Sequence, residues 1–230
     1  MKTLTRSVRE DIEYPSSDGE PLGENSVQVD WIVLFYNGLQ AQYRDDDNVM
    51  VAADLFWYPV EGAPKTVTAS DVMVALGRPK QARMSYMQWR EEDVAPHVTI
   101  EICSPSNSKK NLKGTFEFYD RFGVEEYYLI DPLKDTLQGW RRKDDELKKI
   151  KSMVGWVSPR LGIRFQPKAD GLHIFGADGR EFLMPREQSQ LAALAERQLQ
   201  NAESERQTAE AESRKLSAKL RELGIDPETL

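Results

Sequence analysis

Residues 97–132 read HVTIEICSPSNSKKNLKGTFEFYDRFGVEEYYLIDP. The first run, HVTIEIC (97–103), alternates as a strand does. Val98, Ile100 and Ile102 fall on one side, and Thr99, Glu101 and Cys103 on the other. SPSNSKK then offers the short polar side chains that cap a helix start. Over 109–122, Leu112, Phe116 and Tyr119 share one helical face, and Gly123 stands where a helix end favours glycine. EEYYLIDP (125–132) is a second apolar strand, closed by Asp131-Pro132. Strand, helix and strand in this order form a βαβ unit with parallel pairing, which predicts an α/β fold. One residue sits oddly in it: Glu101, a carboxylate in a run otherwise built for burial.

Upstream, VMVAADLFWYPV (49–60) and KTVTASDVMVAL (65–76) are rich in β-branched and aromatic residues and stop at Pro59 and Gly77. A helix is expected over 25–44, with Trp31, Phe35 and Leu39 four apart behind an Asn25 or Ser26 cap. Residues 79–93 read as loop and surface. Downstream, short runs around TLQGWRR, LGIRF and GLHIF predict an antiparallel extension to about Phe182. The chain therefore divides into a flexible arm (1–24), an α/β core (25–186) and a helical extension (187–230). In the extension Gly and Pro vanish until Gly224. Ala195, Ala202, Ala209, Leu216 and Leu223 recur every seven residues, but Gln198, Glu205, Glu212 and Lys219 hold the partner position. That is a weak coiled-coil seam, suited either to a solvated helix or to homodimer contact.

Composition narrows the chemistry. The 230 residues carry a net charge of −7, with one cysteine and two histidines. Residues 1–24 hold six acidic against three basic side chains and 187–230 hold nine against six, so the acidity lies in the tails. A single cysteine excludes an internal disulfide and fits a cytoplasmic location. One cysteine and two histidines cannot build a common zinc site, so a metal here would be a hard cation on carboxylates. No apolar run is long enough to span a membrane, and the first residues lack a secretory core.

Asp71 shares a strand face with Met73 and Ala75, as Glu101 does with Thr99 and Cys103. Should these strands be neighbours in register, two carboxylates would converge, a costly arrangement without a cation. Mg²⁺ or Mn²⁺ would meet that need and could drive phosphodiester hydrolysis. Spacing alone equally allows Asp71 to cap a turn and Glu101 to pair with a basic side chain at a sheet edge.

TASDVMVALGRPK, HVTIEICSPSN and FYDRFGVEEYYLIDP together resemble the Uma-two family of restriction endonucleases, within the PD-(D/E)xK nuclease superfamily. LFWYPVEG, GWVSPRLGIRF and LRELGIDPETL extend the resemblance, which covers residues 25 to about 185. It implies a restriction-endonuclease-like core, with a mixed central sheet flanked by helices, followed here by the long C-terminal helix. It implies a metal-dependent endonuclease acting on nucleic acid, DNA first, with Asp71 and Glu101 as catalytic metal ligands. Ser70 replaces the proline of the motif, and Cys103 occupies the place of the superfamily lysine. The family's alternative lysine position, four before Tyr119, is Thr115. Lys113 lies about 200° round the helix from the face of Thr115; Lys109 and Lys110 precede the helix and could reach back. The departure at Thr115 leaves two readings: an Mg²⁺-dependent endonuclease, or a lapsed nuclease fold that binds or assembles through its terminal helix.

Further candidates are bracketed by plainer readings. Asp54, on the face assigned to Phe56 and Tyr58, could add a third carboxylate or be an edge-strand polar residue. Ser104, Ser106 and Asn107 could touch phosphate or simply cap a helix. Arg78, Lys80, Arg83 and Arg90 are phosphate candidates close to the Asp71 strand. The run Arg141, Arg142, Lys143, Lys148, Lys149 and Lys151 could meet a nucleic-acid backbone or be a solvated hairpin interleaved with Asp144, Asp145 and Glu146.

Overall fold

A computed structural model describes residues 12–15, 25–105 and 109–222. It has two compact units, residues 1–184 and 185–230. The first contains helices α1 (Ser26–Gln42) and α2 (Lys109–Arg121) and ten strands. These are β1 (Val49–Tyr58), β2 (Thr68–Leu76), β3 (Tyr86–Met87), β4 (Val98–Ile102), β5 (Glu126–Asp131), β6 (Thr136–Lys143), β7 (Glu146–Lys149), β8 (Trp156–Val157), β9 (Arg164–Lys168) and β10 (Gly171–Phe175).

Seven strands form one sheet in the order β3-β1-β2-β4-β5-β6-β7. The β4–β5 and β3–β1 pairs are parallel and the others antiparallel, so the sheet is mixed. The parallel β4–α2–β5 unit is the one read from residues 97–132. Strand alternation splits the core. Val72, Val74, Ile100, Ile102, Tyr128 and Ile130 face α1 and the small β8–β9–β10 sheet. Met50, Met73, Ala75, Tyr127 and Leu129 face α2, where Tyr119 packs with them. Burying such side chains is worth roughly 1.5–3 kcal/mol each, which explains why polar residues among them need partners.

Helix α1 starts where Asn25 accepts the Gln28 amide at 3.0 Å. It approaches the β10 region closely at Gly38, where an added Cβ would meet the Phe182 ring at 2.3 Å.

Residues 79–93 correct the surface reading. Tyr86 is fully buried, forms β3 beside Trp57 and donates its hydroxyl to the Val94 carbonyl at 2.8 Å. A two-residue strand has no periodicity to read; side-chain packing holds it. The expected arm is also partly docked. Tyr14 packs on Tyr58 and Trp89, and the Tyr58 hydroxyl donates to the Pro15 carbonyl at 2.5 Å. Residues 1–11 and 16–24 lie outside the described residues.

The second unit contains α3 (Pro185–Glu222), 38 residues with none buried, about 57 Å long at 1.5 Å per residue. Leu191, Leu194, Leu199 and Leu216 are exposed along it. The helix stop expected at Gly224 and the seam position Leu223 lie outside the described residues. Among the described residues no helix is long and apolar enough to cross a membrane.

Candidate active site

Strands β2 and β4 are antiparallel neighbours, with Val72 opposite Ile100 and Met73 opposite Thr99. Continuing that register by one rung sets Asp71 across from Glu101. Directly opposed antiparallel residues point to the same side, here the side covered by α2. Both side chains are half-buried.

Each carboxylate is held. Asp71 Oδ2 accepts the Ile102 backbone N–H at 2.6 Å. Glu101 Oε1 accepts the Tyr119 hydroxyl at 2.6 Å, and nearby the Ser70 hydroxyl donates to the Val72 carbonyl at 3.0 Å. Burial, then the Asp71 charge, pushes the Glu101 carboxyl well above its usual range, while the Tyr119 and Ser70 hydroxyls pull it back. Burial, then Glu101, likewise raises the Tyr119 phenol. Two acids this close, one reluctant to ionise, repel each other unless a positive charge lies nearby.

In the sequence Tyr119 is legible as a core-facing helix residue and as the reference for the family's lysine position, not as a partner of Glu101. Its spacing from Leu112 and Phe116 fixed the face, but not the hydroxyl's partner. Among the described residues, the buried hydroxyls of Thr99 and Tyr127 have no hydrogen-bond partner. Thr99 and Tyr127 are opposed on β4 and β5, on the face that carries Glu101. Burial raises the Tyr127 phenol, and Glu101, Cys103 and Asp71 raise it further, so its oxygen lies within electrostatic reach of the acids.

These features fit a hydrated divalent cation. Two carboxylates suffice for Mg²⁺, which keeps several waters, and such waters would satisfy orphaned hydroxyls. Among the described residues, no group of three His, Cys, Asp or Glu side chains could hold a metal ion. Asp54 therefore does not complete a triad. It lies across from Asp71 between the Ala53–Val72 and Leu55–Ser70 pairs, but it is exposed and has φ 47°. That left-handed residue also overturns the simple alternation expected of β1. Ala52 packs on the α2 side and Ala53 on the α1 side, yet Leu55 returns to the α2 side.

Thr115 is half-buried, one helical turn before Tyr119. Lys113 points away, exposed and paired with Glu117 at 3.5 Å. Lys110 is exposed, and Ser106 and Asn107 lie outside the described residues. Cys103, half-buried after β4, has its thiol pushed up to about 11, first by burial and then by Asp131.

Three of the four phosphate candidates after β2 have structural partners. Arg83 binds Glu91 through two bonds of 2.6 and 3.0 Å. Arg78 pairs with Glu92 at 2.8 Å, and Lys80 donates to the Tyr43 carbonyl at 2.5 Å, beyond the end of α1. Only Arg90 of the set is exposed. The basic run of β6–β7 lines a groove of about 410 Å³ with Ile150 and Trp156. Arg142 there is engaged by the Val124, Asp120 and Asp145 carbonyls.

Residues 9–166 match the model of a family, Uma2, described as "Putative restriction endonuclease". A solved structure, "a putative nuclease belonging to DUF820 from Anabaena variabilis ATCC 29413", is 16% identical, with a TM-score of 0.44 over 63% of this chain and 79% of that one. That likeness is too distant to carry a role to any residue here. No curated protein matches. With the family model spanning more than half of the chain, and with the mixed sheet flanked by helices already described, the chain belongs to the Uma2 family of restriction-endonuclease-like proteins.

Proposed function

We propose that the chain is an Mg²⁺- or Mn²⁺-dependent endonuclease that hydrolyses phosphodiester bonds of nucleic acid, DNA in the first instance. The observation that carries this reading is the shared rung of Asp71 and Glu101 beneath α2. These two carboxylates would hold the metal, which when bound would acidify a water and offset phosphate charge.

The chain's own groups do the rest. Tyr119 fixes one oxygen of Glu101, and the Ile102 amide fixes one oxygen of Asp71, so neither side chain must be ordered on binding. Tyr127 offers a buried hydroxyl to a water in the same place. In the reaction the water oxygen bonds to phosphorus, one P–O ester bond breaks, and the departing oxygen takes up a proton. Thr115 can hold a water by hydrogen bond but brings no positive charge.

The second reading is a lapsed nuclease fold that assembles through α3. Thr115 and the exposed leucines of α3 favour it. Plasmid cleavage separates the two. The endonuclease reading requires cutting that depends on Mg²⁺ or Mn²⁺, stops with chelator and disappears in Asp71→Ala. Absence of cutting by the unmodified chain, with cutting gained by Thr115→Lys, would establish the lapsed reading instead.

A further inference from the structure

The proposed hydrolysis places new charge on a phosphate beside two carboxylates, so a nearby cation is needed. β4 and β5 are parallel, with Glu101 beside Leu129 and Ile102 beside Ile130. The Cys103 amide continues the ladder by donating to the Ile130 carbonyl at 2.7 Å. Cys103 therefore stands beside Asp131, and alternation puts Asp131 on the face of Leu129 and Glu101. With strands about 4.8 Å apart and about 3.3 Å per residue, Asp131 is roughly 8 Å from Glu101 backbone to backbone.

Asp131 closes β5 with a turn that returns a lysine to it. Its Oδ1 accepts the Leu133 and Lys134 amides at 3.2 and 3.1 Å, and its Oδ2 accepts the Lys134 ammonium at 2.6 Å. Cys103 thus lies between the two pairs, two residues after Glu101 and beside Asp131 at the same end of the sheet. Asp131 is mostly covered, at 13% side-chain exposure, while Lys134 is 77% exposed. The carboxylate is thus an anchored base and the ammonium an open tip. An ammonium has three donors, and Asp131 takes one.

We propose that Lys134, steadied by Asp131, supplies the site's cation: its ammonium binds a non-bridging oxygen of the scissile phosphate held at Asp71 and Glu101. This inference rests on the endonuclease reading and deepens it. Neither Cys103 nor Thr115 need then carry the charge, because it arrives from the neighbouring strand's turn.

The test uses the full chain with Lys134→Ala, Lys134→Arg and, as a control, Lys168→Ala, an exposed lysine on β9. Plasmid cleavage in Mn²⁺ and Mn²⁺ affinity by calorimetry are measured for each. Lys134→Ala is expected to cut at least tenfold more slowly yet bind Mn²⁺ several-fold more tightly, since a repelling charge has gone. Lys134→Arg keeps both values near those of the unmodified chain, and Lys168→Ala changes neither. Unchanged cleavage in Lys134→Ala overturns the inference while leaving the endonuclease reading intact. So does a slower rate with unchanged Mn²⁺ affinity. No Mn²⁺-dependent cutting by the unmodified chain overturns both.

Discussion

The hydroxyl of Tyr119 on α2 donates to Glu101 Oε1 on β4 at 2.6 Å. This bond ties the crossover helix to the acid at the centre of the sheet. Tyr119→Phe keeps the ring that stacks on Trp57 and removes only the donor. We expect a stability loss of about 0.5–1.5 kcal/mol in chemical denaturation. Cleavage should fall as well, because Glu101 loses its fixed orientation. A variant as stable and as active as the parent would make the bond incidental.

The metal-free chain should lose stability as pH rises, through Glu101. Its folded carboxyl titrates above the ordinary 4.5, so the folded state holds a proton that the unfolded state has released. That contribution is complete below about pH 4.5 and is lost as pH climbs through the raised folded value. Glu101→Gln cannot titrate. Urea midpoints from pH 5 to 8 should therefore fall less steeply in Glu101→Gln than in the parent, and equal slopes would contradict the raised carboxyl.

Arg83 should prove structural. Its side chain is 6% exposed, and Glu91 is 11% exposed. Arg83→Ala strands a covered carboxylate, at a cost of about 3–5 kcal/mol. Differential scanning calorimetry should show a large drop in Tm. DNA affinity of the folded fraction, measured by anisotropy in chelator, should stay within twofold. A large affinity loss at unchanged Tm would restore Arg83 as a phosphate contact.

Gly38→Ala tests how closely α1 is seated. Alanine gains about 1 kcal/mol of helix propensity. Its Cβ, however, falls 2.3–2.6 Å from three Phe182 ring atoms, and overpacking costs about 1–3 kcal/mol. The clash wins, so Tm falls. Gly139→Ala should cost less, because its Cβ meets the flexible ends of Met153 and Ile150. The reverse order of Tm values would show that Phe182 yields easily.

The βαβ core was legible because two apolar strands and an amphipathic helix carry different periods within 36 consecutive residues. The convergence of Asp71 and Glu101 was legible only as a condition. Alternation gives the face of each acid, but no local pattern says that β2 and β4 are neighbours. β3 was not legible, since two residues show no period and Tyr86 is held by distant partners. The behaviour of β1 around Asp54 escaped for another reason: a left-handed residue inside a continuous ladder breaks the rule that alternation relies on. The partners of Arg78, Lys80 and Arg83 were likewise hidden, because ion pairs and side-chain bonds to carbonyls across loops leave no spacing signature.

The most direct measurement is calorimetric titration of Mn²⁺ into the unmodified chain, Asp71→Ala and Glu101→Ala. The account predicts one site in the unmodified chain and its loss in both variants, with thermal transitions showing that all three remain folded. Equal binding in Asp71→Ala, or no binding in the unmodified chain, would contradict a metal held between these two strands.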